Sequence, residues 1–221
     1  MEQRAHFTKK LEELKLRVLR MAALSETAIH KSIKAFVEGD GDLAEEVIRG
    51  DSAINDLEDD IDNFNLELLA LDQPMAIDLR TIIGSQRITV NLERLGDEAV
   101  NLAHRSIFLS SRPPLPFNPL MEELSTVSKQ MLADSLKAFV DGDVALAHHV
   151  CRTDDEADTL NVKILKELIS DMVRESRIVE RGVHCIIAAR HLERVADLAT
   201  NIAESVVFIV EGDNMKHQCR G

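Results

Sequence analysis

Leu92-Glu93-Arg94-Leu95-Gly96-Asp97-Glu98-Ala99-Val100-Asn101-Leu102-Ala103 decides the fold, because the chain carries it twice. The second copy is Leu192-Glu193-Arg194-Val195-Ala196-Asp197-Leu198-Ala199-Thr200-Asn201-Ile202-Ala203. Both keep Leu-Glu-Arg, an Asp four residues after the Glu and an Asn four after the Asp. Residues four apart stack on one face of a helix, so each copy presents a Glu–Asp–Asn stripe of oxygen donors. Ile88, Leu92, Leu95, Ala99 and Leu102 keep the spacing of a buried seam. The stripe falls nearly opposite that seam, which predicts that it faces outward.

Residues 77–109 around the first stripe read as one helix. Upstream, residues 42–71 read as another, with Ala53, Ile54, Leu57, Ile61, Phe64 and Leu68 on one side and Asp51, Asn55, Glu58 and Asp62 on another. Six acids and no base lie between Asp51 and Asp62. Pro74 ends this run, since a proline disfavours helix at the residue before it. Residues 7–38 read as a long amphipathic helix with a seam of Leu11, Leu14, Val18, Met21, Ser25 and Ala28. Thr8 or a neighbour is placed to cap its start, and Gly39-Asp40-Gly41 stops it.

Downstream, Arg112-Pro113-Pro114-Leu115-Pro116-Phe117-Asn118-Pro119 holds four of the five prolines and reads as a linker. The pattern then restarts. Residues 32–40 recur as 135–143, an offset of 103, and Asp51, Asn55, Leu57 and Ile61 return as Asp154, Asp158, Leu160 and Ile164. The stripes repeat at an offset of 100, so three residues are missing from the turn before the last helix. Two copies of this length are a duplicated domain rather than a solenoid. The expected fold is all-α: two tandem three-helix bundles, six helices in all, over residues 1–111 and 120–221 with a linker at 112–119.

An antiparallel hairpin turning at Pro74 sets Glu93 and Asp97, 19 and 23 residues after it, level with Asn55 and Asp51, 19 and 23 before it. A second turn near residue 175 brings Asp154 and Asp158 beside Asp197 and Glu193. Adjacent carboxylates repel unless a cation or a base offsets them. Two readings stand open. Each patch binds a hard cation through several carboxylate oxygens, or the acids are a solvated face tied by intrahelical pairs.

Composition narrows the function classes. The 221 residues carry a net charge of −13, with no Trp and no Tyr, which argues against nucleic-acid binding. Cys151, Cys185 and Cys219 form no disulfide framework and no zinc spacing, and read as reduced thiols. The start of the chain lacks an apolar signal region and no run is long enough to span a membrane, so a soluble cytoplasmic protein is expected. A di-iron enzyme needs Glu-x-x-His, and none of the eight histidines has a Glu three residues before it. His148-His149 and the His217/Cys219 pair read as solvated surface. Phosphate-loop, dinucleotide and nucleophile-elbow motifs are missing.

The ordered set of motifs resembles the PhoU family of bacterial phosphate-transport regulators. His6-Phe7 with Leu11-Glu12-Glu13-Leu14-Lys15 looks like the family's start. Gln73-Pro74, Asp78-Leu79-Arg80 and Leu92-Glu93-Arg94-Leu95-Gly96-Asp97 look like its first half. Ser176-Arg177, residues 189–197 and Asn201-Ile202 look like its second. The resemblance implies six helices in two bundles, a homodimer, and multinuclear iron or zinc clusters on E/D-x-x-x-D motifs. The metal-binding residues would be Asp51, Asn55, Glu93 and Asp97, then Asp154, Asp158, Glu193 and Asp197, with Asn101 and Asn201 beside them. It implies a non-enzymatic, cytoplasmic negative regulator of the phosphate-starvation response that links the ATPase subunit of a phosphate ABC transporter to a phosphate-sensing histidine kinase. The alternative from another class is a metal-dependent enzyme or metal store on the same scaffold. Two departures from the family pattern stand out. Asn55 gives the first patch one charge fewer than Asp158 gives the second, and Ala196 replaces the glycine kept as Gly96.

Overall fold

The computed structural model describes residues 2–72, 74–116 and 118–213. Gln73, Phe117, His217 and Cys219 lie outside them. The first half runs as α1 (Glu2–Glu38), α2 (Gly41–Gly50), α3 (Ser52–Asp72) and α4 (Ile77–Ser110). The second runs as α5 (Pro119–Asp141), α6 (Val144–Arg174), a short 3-10 turn (Ser176–Ile178) and α7 (Val179–Glu211). The helix expected at 42–71 is therefore two segments, parted only at Asp51. Asp51 keeps right-handed helical dihedrals, φ −61° and ψ −37°, and its carbonyl accepts from both Ile54 N (2.9 Å) and Asn55 N (3.2 Å). The ladder tightens there, next to Gly50, a poor helix former, and α2–α3 continues as one arm. Its counterpart α6 has Thr153 where Gly50 stands and is unbroken. Counted as arms, the fold has six helices.

The duplication is visible atom by atom. Gly39 and Gly142 both end their helices with φ near +67° (+67° and +66°), a left-handed conformation that favours glycine. Asp40 and Asp143 then cap the next helices, their carboxylates accepting from Leu43 N at 3.0 Å and Leu146 N at 2.9 Å. Thr8 caps nothing: α1 already starts at Glu2, and the Thr8 hydroxyl donates to the Arg4 carbonyl inside the helix (3.0 Å). Ser25 and Ser128, buried seam residues of α1 and α5, reach the Leu92 and Leu192 carbonyls at 2.9 and 2.8 Å. These leucines immediately precede the Glu of each stripe, so each stripe is pinned to the long first helix of its own half.

Leu14, Val18, Met21, Ile88, Leu92, Leu95 and Leu102 are all buried, as their spacing predicts, whereas Ala53 is exposed. Ala53 sits on the rim of the arm, just past the tightened turn at Asp51, while Ile54 takes the inward position. The two bundles share one continuous core through α4 and α7. These helices run antiparallel. Arg80 donates to the Ile209 and Val210 carbonyls (3.3 and 3.5 Å). Arg87 lies over the Phe208 ring (4.1 Å), Arg105 meets His184 (3.3 Å) and Arg112 pairs with Glu180 (3.5 Å). The pairing closes symmetrically about Leu95 and Val195, which are equivalent positions of the repeat. Arg80 lies fifteen residues before the one and Val210 fifteen after the other. No helix among the described residues is long and apolar enough to cross a membrane.

Candidate metal centre

The first patch forms where the α2–α3 arm crosses α4. Its closeness depends on Gly96: a Cβ there would stand 3.0 Å from Asp51 Oδ1 and 3.1 Å from Ile54 Cδ1. Asp51 Oδ2 accepts from Asn55 Nδ2 at 3.1 Å, whereas Asp51 Oδ1 is buried and has no donor. Across from it, Glu93 is half-buried and Asp97 solvent-exposed. The Glu93 carboxyl is pushed above its ordinary range by partial burial, then by the charges of Asp97 and Asp51, with Arg94 opposing. Asp97 is raised by partial desolvation, then by Asp51 and Glu98, with Arg194 of α7 opposing. Asp51, Glu93 and Asp97 thus feel one another's charge, as the hairpin register predicts. Asn101 and Asn201 lie half-buried one turn further along their helices.

The second patch lies between α6 and α7 and departs from the expected outer face. Glu193 is only 6% exposed and Asp154 only 7%. Nearly opposite the seam is not outside here, because α7 packs against α4, α5 and α6 and α6 covers that side. Asp158 stays exposed and Asp197 half-buried. Arg190 Nη1 donates to Glu193 Oε1 at 2.9 Å, the intrahelical pair that a solvated face would have. The other oxygen, Oε2, is buried without a donor. The Glu193 carboxyl is pushed up to about 7 by burial, by the charge of Asp197 and by Asp158, with Arg190 opposing. Two carboxyls such as Glu193 and Asp158 hydrogen-bond only when one of them carries a proton.

A buried carboxylate oxygen without a donor is costly, and each patch holds one: Asp51 Oδ1 and Glu193 Oε2. Several hard oxygens with raised proton affinity, and no matching base for each, form a donor set that suits a cation. Among the described residues no three His, Cys, Asp or Glu side chains stand grouped as a ready ligand shell. Cys151 is buried and Cys185 partly so, and burial pushes the Cys185 thiol up to about 11, far from the thiolate that metals bind.

Two residues lie outside the metal-binding set expected from the sequence, although spacing already put the first of them on the acidic face of the arm. Glu58, two turns after Asp51 on the same stripe, is raised by partial burial and then by Glu93, Asp62, Asp59 and Asp97. Glu98, 2% exposed, accepts from His191 Nδ1 at 2.6 Å and pairs with Arg194 Nε at 3.0 Å across the α4–α7 seam. The signal for Glu98 was its repeat partner Leu198, an apolar residue at the equivalent position.

The PhoU domain family model matches residues 18–106 and 121–206, one match in each half. The chain belongs to the PhoU family. A phosphate-specific transport system accessory protein PhoU homolog of Aquifex aeolicus is 41% identical over 210 residues, covering 95% of either chain. The crystal structure of PhoU from Pseudomonas aeruginosa superposes with a TM-score of 0.91 at 34% identity, over 94% of this chain and 100% of that one. The phosphate transport system regulatory protein PhoU of Streptococcus pneumoniae gives 0.87 at 28% identity, over 94% and 98%. All six helical arms of this PhoU-family chain therefore have counterparts in solved family members, and both patches fall within the matched residues.

Proposed function

We propose that the chain is a non-enzymatic accessory protein of a phosphate transport system. It restrains uptake and the phosphate-starvation response by docking on the transporter's ATPase subunit and on a phosphate-sensing histidine kinase in the cytoplasm. Full-length likeness to relatives named as accessory and regulatory proteins carries this reading. The acidic helical surface suits protein docking, and a homodimer fits the same role.

The two patches bind iron or zinc. Asp51, Asn55, Glu93 and Asp97 line the first, and Asp154, Asp158, Glu193 and Asp197 the second, with Asn101 and Asn201 flanking. A cation offsets the burial and the mutual repulsion that raise Glu93, Asp97 and Glu193 and gives the orphaned oxygens of Asp51 and Glu193 a partner. Because each patch joins two helices of one bundle, a bound ion also fixes the angle of the α2–α3 arm or of α6.

Two measurements test this. Metal analysis of the purified protein is compared with Glu93→Ala/Asp97→Ala and Glu193→Ala/Asp197→Ala. Each pair is expected to lose its half's share, and unchanged content in both removes the metal assignment. Deleting the gene is expected to leave alkaline phosphatase expressed at high phosphate. Normal repression in the deletion strain removes the regulatory role.

A further inference from the structure

We propose that the first patch draws its second acid of the arm from Glu58, because acid and amide have exchanged places between the halves: Asp51-Asn55-Glu58 stands against Asp154-Asp158-Asn161. This rests on the reading of the patches as cation sites. Both triplets follow four-then-three spacing, which keeps all three residues on one face of a helix. Asn161 is the repeat equivalent of Glu58 at the offset of 103 that relates Asn55 to Asp158. Each half thus carries two acids and one amide on this face, in a different order.

The structure distinguishes the roles. A carboxylate oxygen only accepts, so the 3.1 Å bond from Asn55 Nδ2 to Asp51 Oδ2 fixes which way the amide faces. Asn55 turns its nitrogen toward Asp51 and acts as a positioning residue. It leaves Asp51 Oδ1, buried and without a donor, beside Gly96, where an added Cβ would be 3.0 Å away. Glu58 is within electrostatic reach of both stripe acids of α4, Glu93 and Asp97. In the other half, Asp158 stands against Glu193, whose side chain is more than nine-tenths buried with Oε2 unpartnered. Asp62, one turn beyond Glu58, is not the replacement. Gln86 Nε2 donates to it, and Gln86 Oε1 accepts from buried Asn65 (2.5 Å), so Asp62 is already held by the protein.

The two patches then carry the same carboxylate count: Asp51, Glu58, Glu93 and Asp97 against Asp154, Asp158, Glu193 and Asp197. The first is displaced along α3 by the three residues from Asn55 to Glu58, about 4.5 Å. With Glu58 counted, Asn55 no longer leaves the first patch one charge short.

The test uses the full chain with the second patch disabled by Glu193→Ala/Asp197→Ala. Zinc(II), or iron(II) without oxygen, is titrated in, and bound metal is read by elemental analysis, with far-UV circular dichroism as the folding control. Glu58→Gln, which removes a ligand's charge, and Asn55→Ala, which frees the carboxylate that it orients, are each expected to weaken binding by about tenfold or more. Asn55→Asp/Glu58→Asn, which copies the second half's order, is expected to regain most of the affinity that Glu58→Gln loses. Unchanged binding in Glu58→Gln, or failure of the exchanged pair to bind more tightly than Glu58→Gln, overturns the assignment. If the background binds no metal while the unmodified chain does, the first patch is no cation site. If neither binds, the metal reading of both patches falls with it.

Discussion

Glu193→Gln is expected to stabilise the metal-free protein above pH 7 and, on the proposed reading of the second patch as a cation site, to cost that patch its cation. The two effects share one cause. Burial, Asp197 and Asp158 push the Glu193 carboxyl up to about 7, so between the ordinary carboxyl range and pH 7 the folded chain holds a proton that the unfolded chain has released. Stability from this group is therefore full at low pH, falls as pH rises through that window, and is lost above it. Glutamine stays neutral throughout and offers N–H donors to the neighbouring carboxylates. Above pH 7 the gain is about 2 kcal/mol, or roughly 5 °C in melting temperature for a chain of this size. Calorimetry with a chelator at pH 8 and at pH 4.5 checks it: the variant melts higher at pH 8 and level with the parent at pH 4.5. A lower melting temperature at pH 8 would mean that the ionised carboxylate stabilises the fold, contrary to this account. With zinc added, the proposed cation role predicts the reverse order at pH 8, because only the parent would gain binding energy.

Glu98→Ala is expected to destabilise the protein by about 3 kcal/mol, the range for removing one member of a buried ion pair. Glu98 is 2% exposed and meets both His191 and Arg194 at the seam. Removing it leaves a space in the α4–α7 contact and takes the acceptor from a largely buried imidazole. Arg194 is half-exposed and turns to water, which holds the loss toward the lower end. Glu98→Gln, which keeps an acceptor for His191, costs less than half as much. Chemical denaturation of the three proteins checks the order, and an alanine variant within 0.5 kcal/mol of the parent, about the scatter for an exposed surface site, would show that the pair contributes nothing at the seam.

Much of this architecture was legible in the residues, for reasons that can be stated. The seams of α1 and α4 rest on three-and-four spacing that holds for any helix with one buried side. The turns rest on Gly39, Gly142 and their Asp caps, and the hairpin register on the length of chain each side of Pro74. The burial of Glu193 and Asp154 was not legible. Periodicity within one bundle assigns an outer face to α7, but a helix with neighbours on three flanks has none to spare. Glu98 and its partners were hidden for a related reason: they depend on which faces of the two bundles meet, and no pattern internal to either half carries that. Thr8 misled because a good capping residue is also tolerated inside a helix, where its hydroxyl bonds back to the turn before it.

The symmetric closing of α4 on α7 about Leu95 and Val195 has an evolutionary meaning. Antiparallel contact between equivalent positions is the geometry of an isologous dimer interface, here enclosed in a single polypeptide. A gene fusion that joined two identical subunits would leave such an interface with every contact made twice. Glu98 and His191 break that equality, because their repeat equivalents are Leu198 and Asn91. Each half has become the other's dedicated mate, and neither can stand in for its partner.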